Sequence, residues 1–166
     1  ATHKSYMILL ETALECPESL LHNLLGSDPA HRLPLTYEIA FPVPFSDDER
    51  RDVAIRRAAT SFVLNANRYV VPDQASAHYI ETDGPEECFF LWENAGISTT
   101  HVNSFEAHDY AYELLRMNAE ELYADHKLQL QILSHQRPQK RWVLKCPFHL
   151  WNIDALVEAS PAARIV

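Results

Sequence analysis

The sequence predicts an α/β fold, a small parallel sheet flanked by helices. Three observations carry this. Trp142-Val143-Leu144 is a short apolar run of strand formers. From Phe148 the period changes, and Leu150, Ile153, Leu156 and Val157 recur at helical spacing until Pro161 stops them. Arg164-Ile165-Val166 then opens a second apolar strand. Strand, crossover helix and strand make a βαβ unit, which implies parallel pairing. Lys145 and Cys146 fall at the carboxyl end of the first of these strands, next to a helix N-terminus. Open α/β sheets bind ligands in that crevice.

The remaining elements follow in order. Tyr6 to Leu10 is apolar throughout and reads as a central first strand. Pro17 opens a helix at its favoured first position, and Gly26 closes it. Between strand and helix lies a loop, Glu11 to Cys16, where nucleotide-binding α/β proteins hold phosphate. Ser46 and Glu49 form a capping box for a helix running to about Asn65. Its apolar positions, Ile55, Ala59, Phe62, Val63 and Ala66, are expected to face inward, with Arg50, Arg51, Arg56 and Arg57 mostly outward. Tyr69 to Val71 is a short strand or extended loop. Gly84 and Pro85 start a buried helix that Gly96 ends. Asp109 to Arg116 is a short helix. Asn118 and Glu121 make a second capping box for a helix to about Gln136. No repeat or flexible linker interrupts the chain, so residues 1–166 read as one domain.

Composition narrows the function. An apolar content of 47% is that of a globular protein. A formal charge of −9 argues against nucleic acid or an anionic membrane as partner. No apolar run reaches the length of a membrane span. Cys16, Cys88 and Cys146 are an odd set without paired spacing, which predicts a reducing, cytoplasmic setting. Three glycines are few against the roughly twelve of average usage. Loops that bring backbone to phosphate usually need more.

The stretch Trp142-Val143-Leu144-Lys145-Cys146-Pro147-Phe148-His149-Leu150, with Asp154-Ala155-Leu156 and later Arg164-Ile165-Val166, resembles the bacterial sulfotransferases that use 3′-phosphoadenosine 5′-phosphosulfate (PAPS). Their pattern reads W-V-L-K-S-P-x-H-L-x-x-L-D-A-L, then P-D-A-R-I-V. Leu20-Leu21-His22-Asn23-Leu24-Leu25, Asp28-Pro29 and Pro34-Leu35-Thr36-Tyr37-Glu38 are similar to the family's L-L-H-N-L-L, D-P and P-L-T-W-E. Pro85 to Cys88 matches its P-E-E-C. The resemblance implies a P-loop-like sulfotransferase fold, PAPS as cofactor, and transfer of a sulfuryl group to a hydroxyl or amine of a small-molecule acceptor.

The chain departs from that pattern at both phosphate sites. Where the family carries L-P-R-T-G-T-T, this chain has Ala13-Leu14-Glu15-Cys16-Pro17-Glu18-Ser19. The arginine becomes Glu15, the glycine Pro17 and the first threonine Glu18. Pro17 has no N–H to donate, and the two glutamates bring negative charge to an anion cradle. The T-H-R-D-P segment that binds the 3′-phosphate in the family would lie beyond Val166, so the fold is expected to be partial or truncated. Two readings stand. One is a PAPS-dependent transferase that needs a longer chain or a partner. The other is a pseudoenzyme, an inactive or repurposed ligand-binding or protein-interaction relative. An open sheet edge after Ile165 would suit a homo-oligomer or a partner chain.

On the resemblance, Lys145 would stabilise the transferred group and Glu38 would serve as general base. Each has a plainer reading: Lys145 paired with an acid such as Glu15, and Glu38 as a surface or capping residue. Cys146, which replaces the family's serine, is either a buried small residue or a low-pKa thiol beside Lys145 and His149. His149 is either packed or catalytic. Cys16, Ser19, Lys145 and Cys146 would line the cofactor. His101, Glu106, His108 and Asp109 have ligand side chains, but their spacing fits no standard metal pattern, so no metal site is expected in the chain.

Overall fold

A computed structural model describes residues 6–9, 17–73, 79–97, 102, 107–135 and 140–166. Strands β1 (Tyr6–Leu9), β2 (His31–Arg32), β3 (Arg141–Lys145) and β4 (Arg164–Ile165) form one sheet in the order β2-β3-β1-β4. All its pairings are parallel, with Tyr6 opposite Trp142 and Leu9 opposite Lys145. This is the predicted α/β arrangement. Strand β3 is buried from Trp142 to Lys145, as a sheet covered on both faces requires.

Helix α1 (Pro17–Gly26) follows β1 and packs on β3. A short helix α2 (Thr36–Ala40) leads to the long helix α3 (Glu49–Val70). Beyond it come the single turn α4 (Phe90–Glu93), then α5 (His108–Leu114) and α6 (Ala119–His135). A 3₁₀ helix (Pro147–Asn152) and α7 (Ile153–Ala159) complete the crossover from β3 to β4. The core joins Ile8 and Leu144 of the sheet to Leu91, Tyr123, Leu130 and Leu156 of the helices.

Helix α3 corrects three expectations. Its N-cap is Asp48, whose carboxylate accepts from the Arg51 N–H at 2.9 Å, while Ser46 accepts from Asp48 itself. It also continues through Tyr69 and Val70, and the Val71 N–H extends the helical ladder to Asn67. Its inner face is the polar stripe Asp52, Arg56 and Thr60, whereas Phe62 and Val63 are exposed. The cause is the chain just before it. Asp52 accepts the Phe45 N–H at 2.7 Å and pairs with Arg56, which donates to the Phe41 carbonyl and lies over the Tyr37 ring. Helix α3 is thus clasped to residues 37–45 by buried charge. Asp52→Ala is expected to cost about 3–5 kcal/mol in urea unfolding, because it leaves the Arg56 guanidinium buried without its carboxylate. A loss below about 1 kcal/mol would mean the pair behaves as a solvent-screened one.

The segment 84–88 is a fourth correction. It is extended, not helical. Leu35 and Pro85 form an antiparallel bridge, Glu86 N–H donates to the Pro34 carbonyl, and Cys88 N–H donates to the Lys145 carbonyl at 3.0 Å. With its amides used by neighbouring segments, the backbone turns helical only at Phe90. Gly96 ends that turn at a φ of 80°, where the Ile97 N–H reaches the Trp92 carbonyl and the Gly96 N–H that of Glu93. Asn118 caps helix α6 by accepting the Glu120 N–H at 2.9 Å, one residue before the Glu121 of the expected capping box.

Candidate functional site

Parallel pairing of β1 with β3 places the end of both strands beside α1. Lys145, the last residue of β3, lies there and is nearly closed to solvent. Its Nζ stands 2.9 Å from Glu87 Oε1. The Glu87 N–H donates to the Glu86 carboxylate at 2.8 Å, so the extended segment 84–88 delivers two buried carboxylates to this corner. From α1, His22 Nε2 donates to the Val143 carbonyl at 3.0 Å and tethers the helix to the strand. Burial lowers the His22 pKa, and the Lys145 charge adds to this; the Val143 carbonyl and Glu86 oppose it. A cavity of about 230 Å³ opens between His22, Asn23, Tyr79, Glu86 and Lys145. Its charge is mixed, with Glu81 also on its wall.

The other predicted residues lie elsewhere. Glu38, on α2, is buried, with Arg32 at 3.1 Å and the Leu35 N–H at 3.4 Å. Arg32 in turn covers the Trp142 ring and donates to the Leu133 carbonyl. Glu38 therefore stitches α2 to β2 and is not among the described residues lining the Lys145 cavity. His149 is fully buried, between Cys88 Sγ at 3.3 Å and the Tyr123 hydroxyl at 3.0 Å. Burial, helped by His126, pushes its pKa down to about 3. Burial likewise lowers His126 to about 4. Cys146 is also fully buried, against the Cys88 thiol, whose pKa burial and that neighbouring sulfur push well up.

Cys16 and Glu15 lie outside the described residues, with the rest of the predicted phosphate loop, as do His101 and Glu106. Ser19 belongs to α1 by its backbone, and its side chain is likewise outside the description. The acid facing Lys145 is Glu87. Sequence reasoning quoted Glu87 and Cys88 within a motif but read them as a helix start. It passed over Tyr123 and His126 altogether, because nothing in their local pattern points to His149.

The sheet order, the crevice at its carboxyl edge and a lysine at a strand end define an open, parallel α/β fold of the kind that takes ligands at the carboxyl ends of its strands. A profile of the sulfotransferase family matches residues 19–166, and the chain belongs to that family. It is similar in structure to sulfotransferase STF1 from Mycobacterium tuberculosis H37Rv, with a TM-score of 0.72 and 25% identity over 98% of this chain and 44% of that one. Sulfotransferase STF9 from Mycobacterium avium gives 0.73 and 25% over 99% and 42%. The chain thus spans less than half the length of either structure. No curated protein sequence matches it. Among the described residues no helix is long and apolar enough to cross a membrane.

Proposed function

We propose that this chain carries a sulfotransferase scaffold whose 5′-phosphosulfate loop no longer grips an anion, so that alone it does not transfer a sulfuryl group from PAPS. The observation that carries this reading is the start of α1. Pro17 occupies the helix's first position, and Glu18 follows it. A helix start binds phosphate through backbone N–H groups, and proline offers none. Lys145 already faces Glu87, and Glu86 and Glu81 border the same cavity. A phosphate charge about 4 Å from one carboxylate is opposed by about 4 kcal/mol at an effective dielectric of 20. Micromolar binding amounts to only about 8 kcal/mol.

The second reading keeps catalysis. Lys145 would stabilise the bridging oxygen as the sulfuryl group leaves PAPS, and a small acceptor would enter the adjoining cavity. Glu38 could act as base only after giving up Arg32, and His149 only after leaving its buried contacts. Cys16, Ser19 and Cys146 would belong to the cofactor side. This reading needs the 3′-phosphate half from a longer chain or a partner. The position of Lys145 at the strand end favours it. The buried thiols of Cys88 and Cys146 suit a reducing, cytoplasmic setting under either reading.

Calorimetric titration with adenosine 3′,5′-bisphosphate separates the two. We expect no saturable heat up to millimolar ligand. A saturable isotherm with a micromolar Kd, lost in Lys145→Ala, would establish the second reading.

A further inference from the structure

We propose that Cys88, His126 and His149 form a binding site for a borderline-to-soft metal ion, zinc in the first instance. The three come from the extended segment before α4, from α6 and from the 3₁₀ helix, so their meeting is a product of the fold alone. One ligand atom from each lies within 4.8 Å of the other two, and all three residues are buried. His149 Nε2 and Cys88 Sγ are 3.3 Å apart. Tetrahedral zinc, with bonds of about 2.3 Å to sulfur and 2.0 Å to nitrogen, sets such neighbours about 3.5 Å apart.

A second observation points to a ligand. His126 Nε2 is buried, and it has no hydrogen-bond partner among the described residues. The Cys88 backbone is also a hydrogen-bonding neighbour of this ring. When the other ring nitrogen carries the proton, Nε2 is a bare lone pair, the form a metal takes. Buried polar atoms are rarely left so. His149 is oriented in the same manner, since its Nδ1 meets the Tyr123 hydroxyl at 3.0 Å. Sulfur and imidazole donors without a carboxylate select zinc or copper(I) over magnesium or calcium. The Cys146 thiol neighbours Cys88 but is not one of the group. On binding, the Cys88 S–H bond breaks, a sulfur–metal bond forms, and the proton leaves to solvent. This inference is independent of whether the chain binds PAPS.

The test is to refold the full chain, reduced and metal-stripped, with cobalt(II) or zinc. One equivalent of cobalt should give a thiolate-to-metal charge-transfer band that zinc abolishes, and zinc should raise the Tm. Tyr123→Phe, which keeps the ligands, should weaken zinc affinity about 10- to 100-fold. His126→Gln and Cys88→Ser should each remove the band while circular dichroism reports a folded chain. A folded wild-type chain with no band would overturn the proposal. So would a band that persists in both ligand variants, since the metal would then sit elsewhere. Should either ligand variant fail to fold, the Tyr123→Phe comparison decides: unchanged zinc affinity there also overturns it.

Discussion

Replacing Lys145 by methionine is expected to lower the unfolding free energy by about 3–5 kcal/mol. The reason is Glu87. Its carboxylate lies 2.9 Å from the ammonium, and both side chains are almost shut off from water. Removing the cation strands a charge where solvation is poor. Glu87→Gln added to Lys145→Met should recover more than half of the loss, because the double variant no longer buries that carboxylate. Urea denaturation of the wild type, the two single variants and the double variant measures the coupling directly. A single-variant loss below about 1 kcal/mol would sink the structural reading. It would leave a lysine held ready for an incoming group.

Acid is expected to unfold the metal-free chain by way of its buried imidazoles. In the unfolded state His126 and His149 take up a proton near pH 6.5. In the folded state burial delays this to about pH 4 for His126 and about pH 3 for His149. Between these limits the unfolded chain holds more protons, so stability falls as pH drops. The contribution is complete above about pH 6.5 and is lost downward from there, at about 1.4 kcal/mol per pH unit for each histidine. With chelator present, moving from pH 7 to pH 5 should cost about 4 kcal/mol. His126→Gln should reduce the slope by about half. An unchanged slope in that variant would assign the acid sensitivity to other groups.

How much the sequence disclosed depended on whether an element speaks through apolar pattern. The strands Tyr6–Leu9 and Arg141–Lys145 and helix α1 were legible because period, proline and glycine agreed. Helix α3 misled because its inward stripe, Asp52, Arg56 and Thr60, is polar. A charge pair buried against a turn of chain looks, in one dimension, like a solvated face. Pro85 looked like a helix opener, but its segment is fixed by hydrogen bonds to residues 34–36 and 145, which no local window contains. The same limit governed the site. Lys145 announced itself by standing at a strand end. Glu87 and the trio Cys88, His126 and His149 converge only through tertiary packing.

Because β1 lies between β3 and β4, its backbone finds its partners only at residues 142–145 and 164–165, far downstream in sequence. During synthesis β1 leaves the ribosome before either partner, so its slot in the sheet cannot form until residues 141–165 have followed. Pairings so distant in sequence make a slow, late step. Until then an unpaired strand stays open to the wrong neighbour. A nascent chain stalled before Arg141 would thus have helices α1 to α6 available but neither β3 nor β4 to build the sheet on.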